Sequence, residues 1–222
     1  REYPDINVTT DNRAAAAAAE LVILAVKPWK VEEVLNEIKP TIEYSHQAVA
    51  SVVGGLGMEQ LSAWLAKGDE RLPATYLIMP NTAIATRSSM TFICSARATA
   101  AQESLLVDIF NELGEAMLIE EGQMAAATSL ASCGIAYALR DIRAAMEGGV
   151  ELGFRPDEAK RIVMQTLRGA TDILSAGNGH PEAEIDRVTT PGGLTIKGLN
   201  AMEAAGFTNS VIEGLRASTK KL

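Results

Sequence analysis

Thr189-Thr190-Pro191-Gly192-Gly193 sets two hydroxyls, a proline and two glycines together, and Thr195 follows inside a helically spaced apolar run that ends at Gly206. These residue types in this order suit the binding of a small anion. Proline fits the first turn of a helix, where its missing N–H is an orphan in any case. Thr189 or Thr190 can cap the helix start. Side-chain-free positions at Gly192 and Gly193 let a ligand come close to backbone amides. The unpaired N–H groups and the positive end of the helix dipole then attract a carboxylate or phosphate, with Thr195 beside it. A tight turn with an ordinary cap is the other reading of the same residues. The threonines on both sides of the turn favour the anion site.

A site of this kind needs a scaffold. The 222 residues allow one large domain or two modest ones. With 47% apolar and 22% charged residues the chain reads as a soluble globular protein. Its net charge of −8 argues against nucleic acid or an anionic membrane surface as partner. It says little about small anions, because dipoles and single side chains act locally. The apolar runs are too short to span a bilayer. Cys94 and Cys133 form no motif, and His46 and His180 stand alone. They read as reduced thiols of a cytoplasmic protein and as surface histidines, without a metal site. The chain opens on Arg1 rather than Met and is expected to be incomplete at that end; it shows no secretion signal.

Local patterns order the first half. Residues 6–9 are strand-like, and Asp11 or Asn12 can cap a helix over 13–20. The continuous apolar run 21–26 suits a strand buried on both faces. Strands follow at 47–53, 74–79, 89–94 and 116–120, with helices at 31–38, 58–65 and 104–113. This alternation predicts a parallel sheet covered by helices on both faces. Ligands bind beyond the carboxyl ends of the strands in such sheets. Three of those ends carry small or polar residues, at Ala25-Val26-Lys27-Pro28, Val53-Gly54-Gly55 and Met79-Pro80-Asn81-Thr82. After Glu121 no strand-like run recurs. Residues 124–151 read as a long helix or helix pair, and further helices follow to about residue 220. Apolar residues on several faces of this half predict burial against a second copy.

These motifs resemble those of the pyrroline-5-carboxylate reductase family, from about Asp11 to the end of the chain. Val188-Thr189-Thr190-Pro191-Gly192-Gly193-Leu194-Thr195-Ile196 is similar to the family's V-[TS]-[ST]-P-G-G-x-T signature, and Met202-Glu203-Ala204-Ala205-Gly206-Phe207 to its L-E-x-x-G-F. Leu24-Ala25-Val26-Lys27-Pro28 matches a cofactor loop, Met79-Pro80-Asn81-Thr82 a second loop, and Gly148-Gly149-Val150-Glu151-Leu152-Gly153 a helical segment. The resemblance implies an α/β Rossmann-type dinucleotide-binding domain over 1–121, truncated at its amino end, and an all-α dimerisation domain over 122–222. It implies reduction of 1-pyrroline-5-carboxylate to proline, the last step of proline biosynthesis, by hydride from NADPH or NADH. It also implies a homodimer or a ring of dimers. Carried over by position, Asn12, Ala25, Val26, Lys27, Pro28, Asn81 and Thr82 contact the dinucleotide. Thr190, Gly192, Gly193, Leu194 and Thr195 receive the substrate carboxylate and imine, and Thr195 is the catalytic residue. Its hydroxyl is expected to orient the ring nitrogen more than to act as a true acid.

Two departures stand out. The G-x-G-x-x-G fingerprint is absent, so about 30–45 residues of a βαβ beginning are expected ahead of Arg1, and the chain without them is expected to bind cofactor weakly. The family's S-G-S-G-P-A-Y stretch reads Ala131-Ser132-Cys133-Gly134-Ile135-Ala136-Tyr137. These departures leave two other readings: a reductase of another imine or a hydroxy acid, and a non-catalytic dimeric relative.

Overall fold

A computed structural model describes residues 5–68, 71–177 and 179–219. The chain forms two compact units that divide after Ser132. In the first, α1 (Asn12–Ala17) begins where the Asp11 carboxylate accepts from the amides of Arg13 and Ala14, at 2.9 and 3.1 Å. Then follow β1 (Leu21–Leu24), α2 (Val31–Ile38), β2 (Ala48–Ser51), α3 (Met58–Leu65), β3 (Ala74–Met79), β4 (Ser89–Ala96), α4 (Ala100–Asn111) and β5 (Gly114–Leu118). The sheet has the order β1-β2-β3-β4-β5.

Strands β1 to β3 are parallel, as are β4 and β5, but β4 runs antiparallel to β3. This corrects the expectation of a wholly parallel sheet. A parallel return needs a crossover of about a dozen residues or more. Only a short loop with a 3-10 turn (Thr82–Thr86) joins β3 to β4, so the chain must double back. The strand expected at 6–9 is also absent: these residues are exposed and outside the sheet, since apolar alternation makes no strand without a neighbour to pair with.

Period-two alternation separates two cores. Val49, Leu77 and Cys94 face one side and pack with Leu35, Leu61 and Leu65 from α2 and α3. Ala50, Tyr76, Ile78 and Ile93 face the other and meet Leu106 and Phe110 of α4. Each large aliphatic side chain so covered contributes roughly 1.5–3 kcal/mol. The edge strand β1 departs from the expectation of burial on both faces. Leu24 is buried against the first core, whereas Ile23 on the opposite face is exposed, because helices cover only one side of this edge.

Cys94 is buried in this core, and burial pushes its thiol up from the ordinary range, with Glu121 and Glu120 adding to the effect. The reactive thiolate is therefore scarce and shielded. In the native protein Cys94 stays unmodified by iodoacetamide at mildly alkaline pH and reacts fully in denaturant. Peptide mass spectrometry reads this out, and rapid native labelling of Cys94 would contradict the packing.

The helical region comprises α5 (Met124–Ala127), α6 (Gly134–Glu151), α7 (Pro156–Ala176), α8 (Pro181–Val188), α9 (Leu194–Ala204) and α10 (Phe207–Thr219). Of the long helix or helix pair expected over 124–151 the structure forms a pair, separated by a π-helical turn, Thr128–Cys133. The Thr128 hydroxyl donates to the Met124 carbonyl at 2.7 Å, a local bond that competes with regular helix pairing. In the second unit Gly149 lets α6 approach α7 closely, since a side-chain carbon there would lie 3.0 Å from Cβ of Ala159. Ala159 is the one fully buried residue among those described in this unit. Leu139, Ile173, Val211 and Ile212 remain exposed.

Candidate functional site

The turn before α9 is built on backbone bonding. The Gly193 amide donates to the Thr190 carbonyl at 2.9 Å, and Gly192 has φ +71°. Proline followed by a residue of positive φ suits a type II turn. Pro191 and Gly192 therefore sit in that turn, ahead of the helix. This corrects the placing of Pro191 in the first helical turn. It also corrects the capping role of the threonines: Gly193 is the cap residue, and no side chain caps α9. The Thr189 hydroxyl instead donates to the Asp186 carbonyl at 3.1 Å, closing α8. A methyl group at Gly193 would lie 2.5 Å from Oγ1 and 3.0 Å from the carbonyl oxygen of Thr190.

The consequence is a set of amides at Leu194, Thr195 and Ile196 that no side chain occupies, at the positive end of an eleven-residue helix. Leu194 is 86% exposed, so the helix start is open. Thr195 is the second residue of α9 and exposed, and its hydroxyl makes no hydrogen bond among the described residues. The five residues of the signature turn are thus held together on one open helix start, and the geometry suits a small carboxylate.

The other candidate residues belong to the first unit. The registers Leu24↔Ser51 and Ser51↔Leu77 bring the carboxyl ends of β1, β2 and β3 side by side. Loops 25–28, 52–57 and 80–82 therefore share one edge of the sheet. Ala25, Val26, Lys27 and Pro28 are exposed. Pro28 opens a 3-10 turn (Pro28–Lys30), and the Lys27 carbonyl accepts from the Lys30 amide at 2.8 Å. This turn presents Trp29 with 74% of its surface exposed. Lys27 has no carboxylate partner among the described residues, whereas Lys30 pairs with Glu33 at 2.7 Å.

Asn81 is buried and largely engaged. Its Oδ1 accepts from the Ala83 amide at 3.0 Å, its own amide donates to Ser89 Oγ at 3.1 Å, and Nδ2 reaches the Ala131 carbonyl at 3.5 Å. Thr82, next in the chain, is exposed. Asn12 is held elsewhere: its Nδ2 donates to Glu37 Oε2 at 2.9 Å, tying it to the last turn of α2. The structure thus brings 25–28 and 80–82 to one edge and engages Asn12 with a helix. Open backbone at 25–27, side-chain-free Gly54 and Gly55 with free space beside them, and an unpaired ammonium fit an elongated anionic dinucleotide.

One feature had no clear signal in the sequence. Asn81 reaches into the π-helical turn, where Ser132 Oγ is buried without a hydrogen-bond partner among the described residues. Such turns often occur at functional sites. In the sequence, residues 131–137 stand out only as a departure from a motif, because π geometry has no sequence period of its own.

Comparison with known proteins gives this architecture relatives along its whole length. Residues 121–222 match the family model described as pyrroline-5-carboxylate reductase dimerisation. Residues 1–55 match that described as NADP oxidoreductase coenzyme F420-dependent. Two relatives come from Dictyostelium discoideum. Pyrroline-5-carboxylate reductase 1 is 40% identical over 97% of this chain, which spans 40% of that relative's length. Pyrroline-5-carboxylate reductase 2 is 39% identical over 100% of this chain and 77% of its own. Among solved structures, the pyrroline carboxylate reductase of Plasmodium falciparum, crystallised with NADP bound, matches with TM-score 0.85 at 27% identity. That match covers 99% of this chain and 84% of the Plasmodium one. The first unit is thus a Rossmann-like domain and the second the helical domain that accompanies it in those structures.

Proposed function

Because the chain belongs to the pyrroline-5-carboxylate reductase family, we propose that it reduces 1-pyrroline-5-carboxylate to proline with NADPH or NADH, the last step of proline biosynthesis. The observation that carries this reading is the signature turn, kept whole, with its helix-start amides unoccupied and a free threonine hydroxyl in the first turn.

The division of labour follows from the chemistry of a cyclic imine. A nicotinamide cofactor, when bound, supplies the hydride. The amides of Leu194 and Thr195 and the hydroxyl of Thr190 bind the substrate carboxylate, with Gly192 and Gly193 allowing its close approach. Holding the ring this way fixes one face toward reduction, and orientation of bound reactants lowers barriers by several kcal/mol. The Thr195 hydroxyl hydrogen-bonds the ring nitrogen and orients it, and the proton that the nitrogen takes up as hydride adds to the imine carbon comes from solvent, to which this helix start is open. Residues 25–28 with Asn81 and Thr82 line the dinucleotide, Lys27 meeting its negative charge. Asn12 serves the adenosine end. The exposed apolar residues of α6, α7 and α10 support a homodimer or a ring of dimers. No helix among the described residues is long and apolar enough to cross a membrane, and unpaired Cys94 and Cys133 fit the reducing cytoplasm.

The direct test is NADPH oxidation dependent on 1-pyrroline-5-carboxylate, with proline identified as product. Consumption with other imines or 2-keto acids but not with this substrate would move the assignment to another reductase. Cofactor binding has its own readout, since the chain holds two tryptophans. Trp64 packs against the first core, and Trp29 stands exposed beside the 25–28 loop. Saturating NADPH quenches Trp29 emission and gives energy transfer into nicotinamide fluorescence. Trp29→Phe removes most of that transfer. Binding by calorimetry with no change in Trp29 emission would locate the cofactor away from this loop.

A further inference from the structure

The opposite edge of the first unit holds a cavity that the proposed reaction does not use. It lies beyond the amino ends of β2 and β3 and the carboxyl end of β4, whereas the 25–28 and 80–82 loops leave the other edge. Its volume is about 590 Å³, within the usual range of small-molecule sites. Tyr44, Leu72 and Pro40 supply apolar wall, and Lys67 and Arg97 bring two cations to it, with Glu43 the one carboxylate among the described lining residues. Such a cluster is unexpected in a chain of net charge −8.

Neutral groups hold two of these cations in place. Arg97 Nε donates to the Pro73 carbonyl at 3.1 Å, and its Nη2 donates to Ser62 Oγ at 2.8 Å and Thr75 Oγ1 at 2.6 Å. That accounts for three of five guanidinium donors and leaves both protons of Nη1 without a partner among the described residues. No carboxylate among the described residues bonds to it. The residue adopts φ +61°, a left-handed backbone that few side chains take. Although Arg97 is exposed overall, partial desolvation draws its guanidinium down from the ordinary range. Lys67 Nζ donates to the Ile42 carbonyl and lies 4.1 Å from the centroid of the Tyr44 ring, whose hydroxyl donates to the Leu65 carbonyl. Two N–H groups of Lys67 have no hydrogen-bond partner among the described residues. Both cations are thus preorganised with donors to spare.

We propose that this cavity binds a small phosphate-bearing anion, gripped by Lys67 and Arg97. A guanidinium edge and an ammonium together suit a tetrahedral oxyanion. Arg97 ties α3, β3 and the end of β4 together through Ser62 and Thr75, so an anion that neutralises it stabilises the first unit from the edge remote from the cofactor.

Inorganic pyrophosphate is the probe, added to the whole chain and compared with sodium chloride at matched ionic strength. Saturable binding by calorimetry is expected, with a rise in melting temperature that chloride does not reproduce. Lys67→Gln weakens pyrophosphate binding by about tenfold or more, the weight of a charge-assisted hydrogen bond. It leaves NADPH-dependent turnover without pyrophosphate unchanged. Arg97→Gln does the same where it folds; Lys67→Gln carries the test if it does not. Lys27→Gln, on the cofactor edge, leaves pyrophosphate binding intact. The proposal is overturned if chloride gives the same stabilisation, if no saturable binding occurs, or if Lys27→Gln abolishes binding while Lys67→Gln does not.

Discussion

Thr195→Val lowers turnover of 1-pyrroline-5-carboxylate by roughly 10- to 1000-fold, below the upper end of the roughly 100- to 10,000-fold typical of a general acid because the hydroxyl chiefly orients the nitrogen. Valine keeps the branched shape and removes only the hydroxyl. Thr195 is exposed at the start of α9 and its hydroxyl bonds to nothing else described in the protein, so the fold does not depend on it. The loss should therefore appear in kcat, with melting temperature and NADPH affinity unchanged. Gly193→Ala separates carboxylate binding from this effect. Its added methyl meets Thr190 Oγ1 at 2.5 Å and displaces a hydroxyl assigned to the carboxylate. It raises KM while Thr195→Val lowers kcat. Steady-state kinetics on the two variants check this, and full turnover in Thr195→Val would remove Thr195 from the mechanism.

The helical unit should not stand as a monomer. Among its described residues Ala159 alone is fully buried, while Leu139 and Ile173 are 58% and 54% exposed. A side chain of this size contributes roughly 1.5–3 kcal/mol when covered. Covering many of them against a second copy is the strongest stabilisation open to this unit. Leu139→Glu with Ile173→Glu introduces charges that resist desolvation. The pair of changes converts a dimer to a monomer by light scattering, lowers the melting temperature and reduces activity more than about tenfold. For the unchanged protein, melting temperature rises with concentration, as linkage requires of an associating fold. A monomeric double variant with full stability and turnover would show that these faces have no partner.

How far each feature was legible follows from the range of the interactions behind it. Apolar runs and helical spacing depend on neighbours a few residues apart, which is why the strand Ala74–Met79 and the helix Met58–Leu65 emerge from the chain with their observed bounds. The signature turn is equally local: Pro191 and Gly192 mark it and Gly193 lets it pack, although the missing threonine cap and the place of Pro191 ahead of the helix emerge only from the folded backbone. The direction of β4 lay on the border. The shortness of the loop after Met79 already excluded a parallel crossover, but strand periodicity carries no direction.

The remaining features are decided by residues far apart in the chain. Asn81 reads as a cofactor contact in its motif, yet its amide is drawn to Ser89 and its side chain to Ala83 and Ala131. Asn12 reads alike, and only the fold shows that its side-chain amide also meets Glu37. The cationic cavity is invisible along the chain because Ser62, Thr75 and Arg97 meet only once α3, β3 and β4 have packed. By itself the sequence determined most of the elements, the two kinds of domain and the turn that precedes α9, since backbone propensity and short-range spacing carry that information. Strand direction, the spending of polar side chains and the charge of the remote cavity were left to the tertiary structure, since a donor's partner depends on which distant acceptor folding delivers to it.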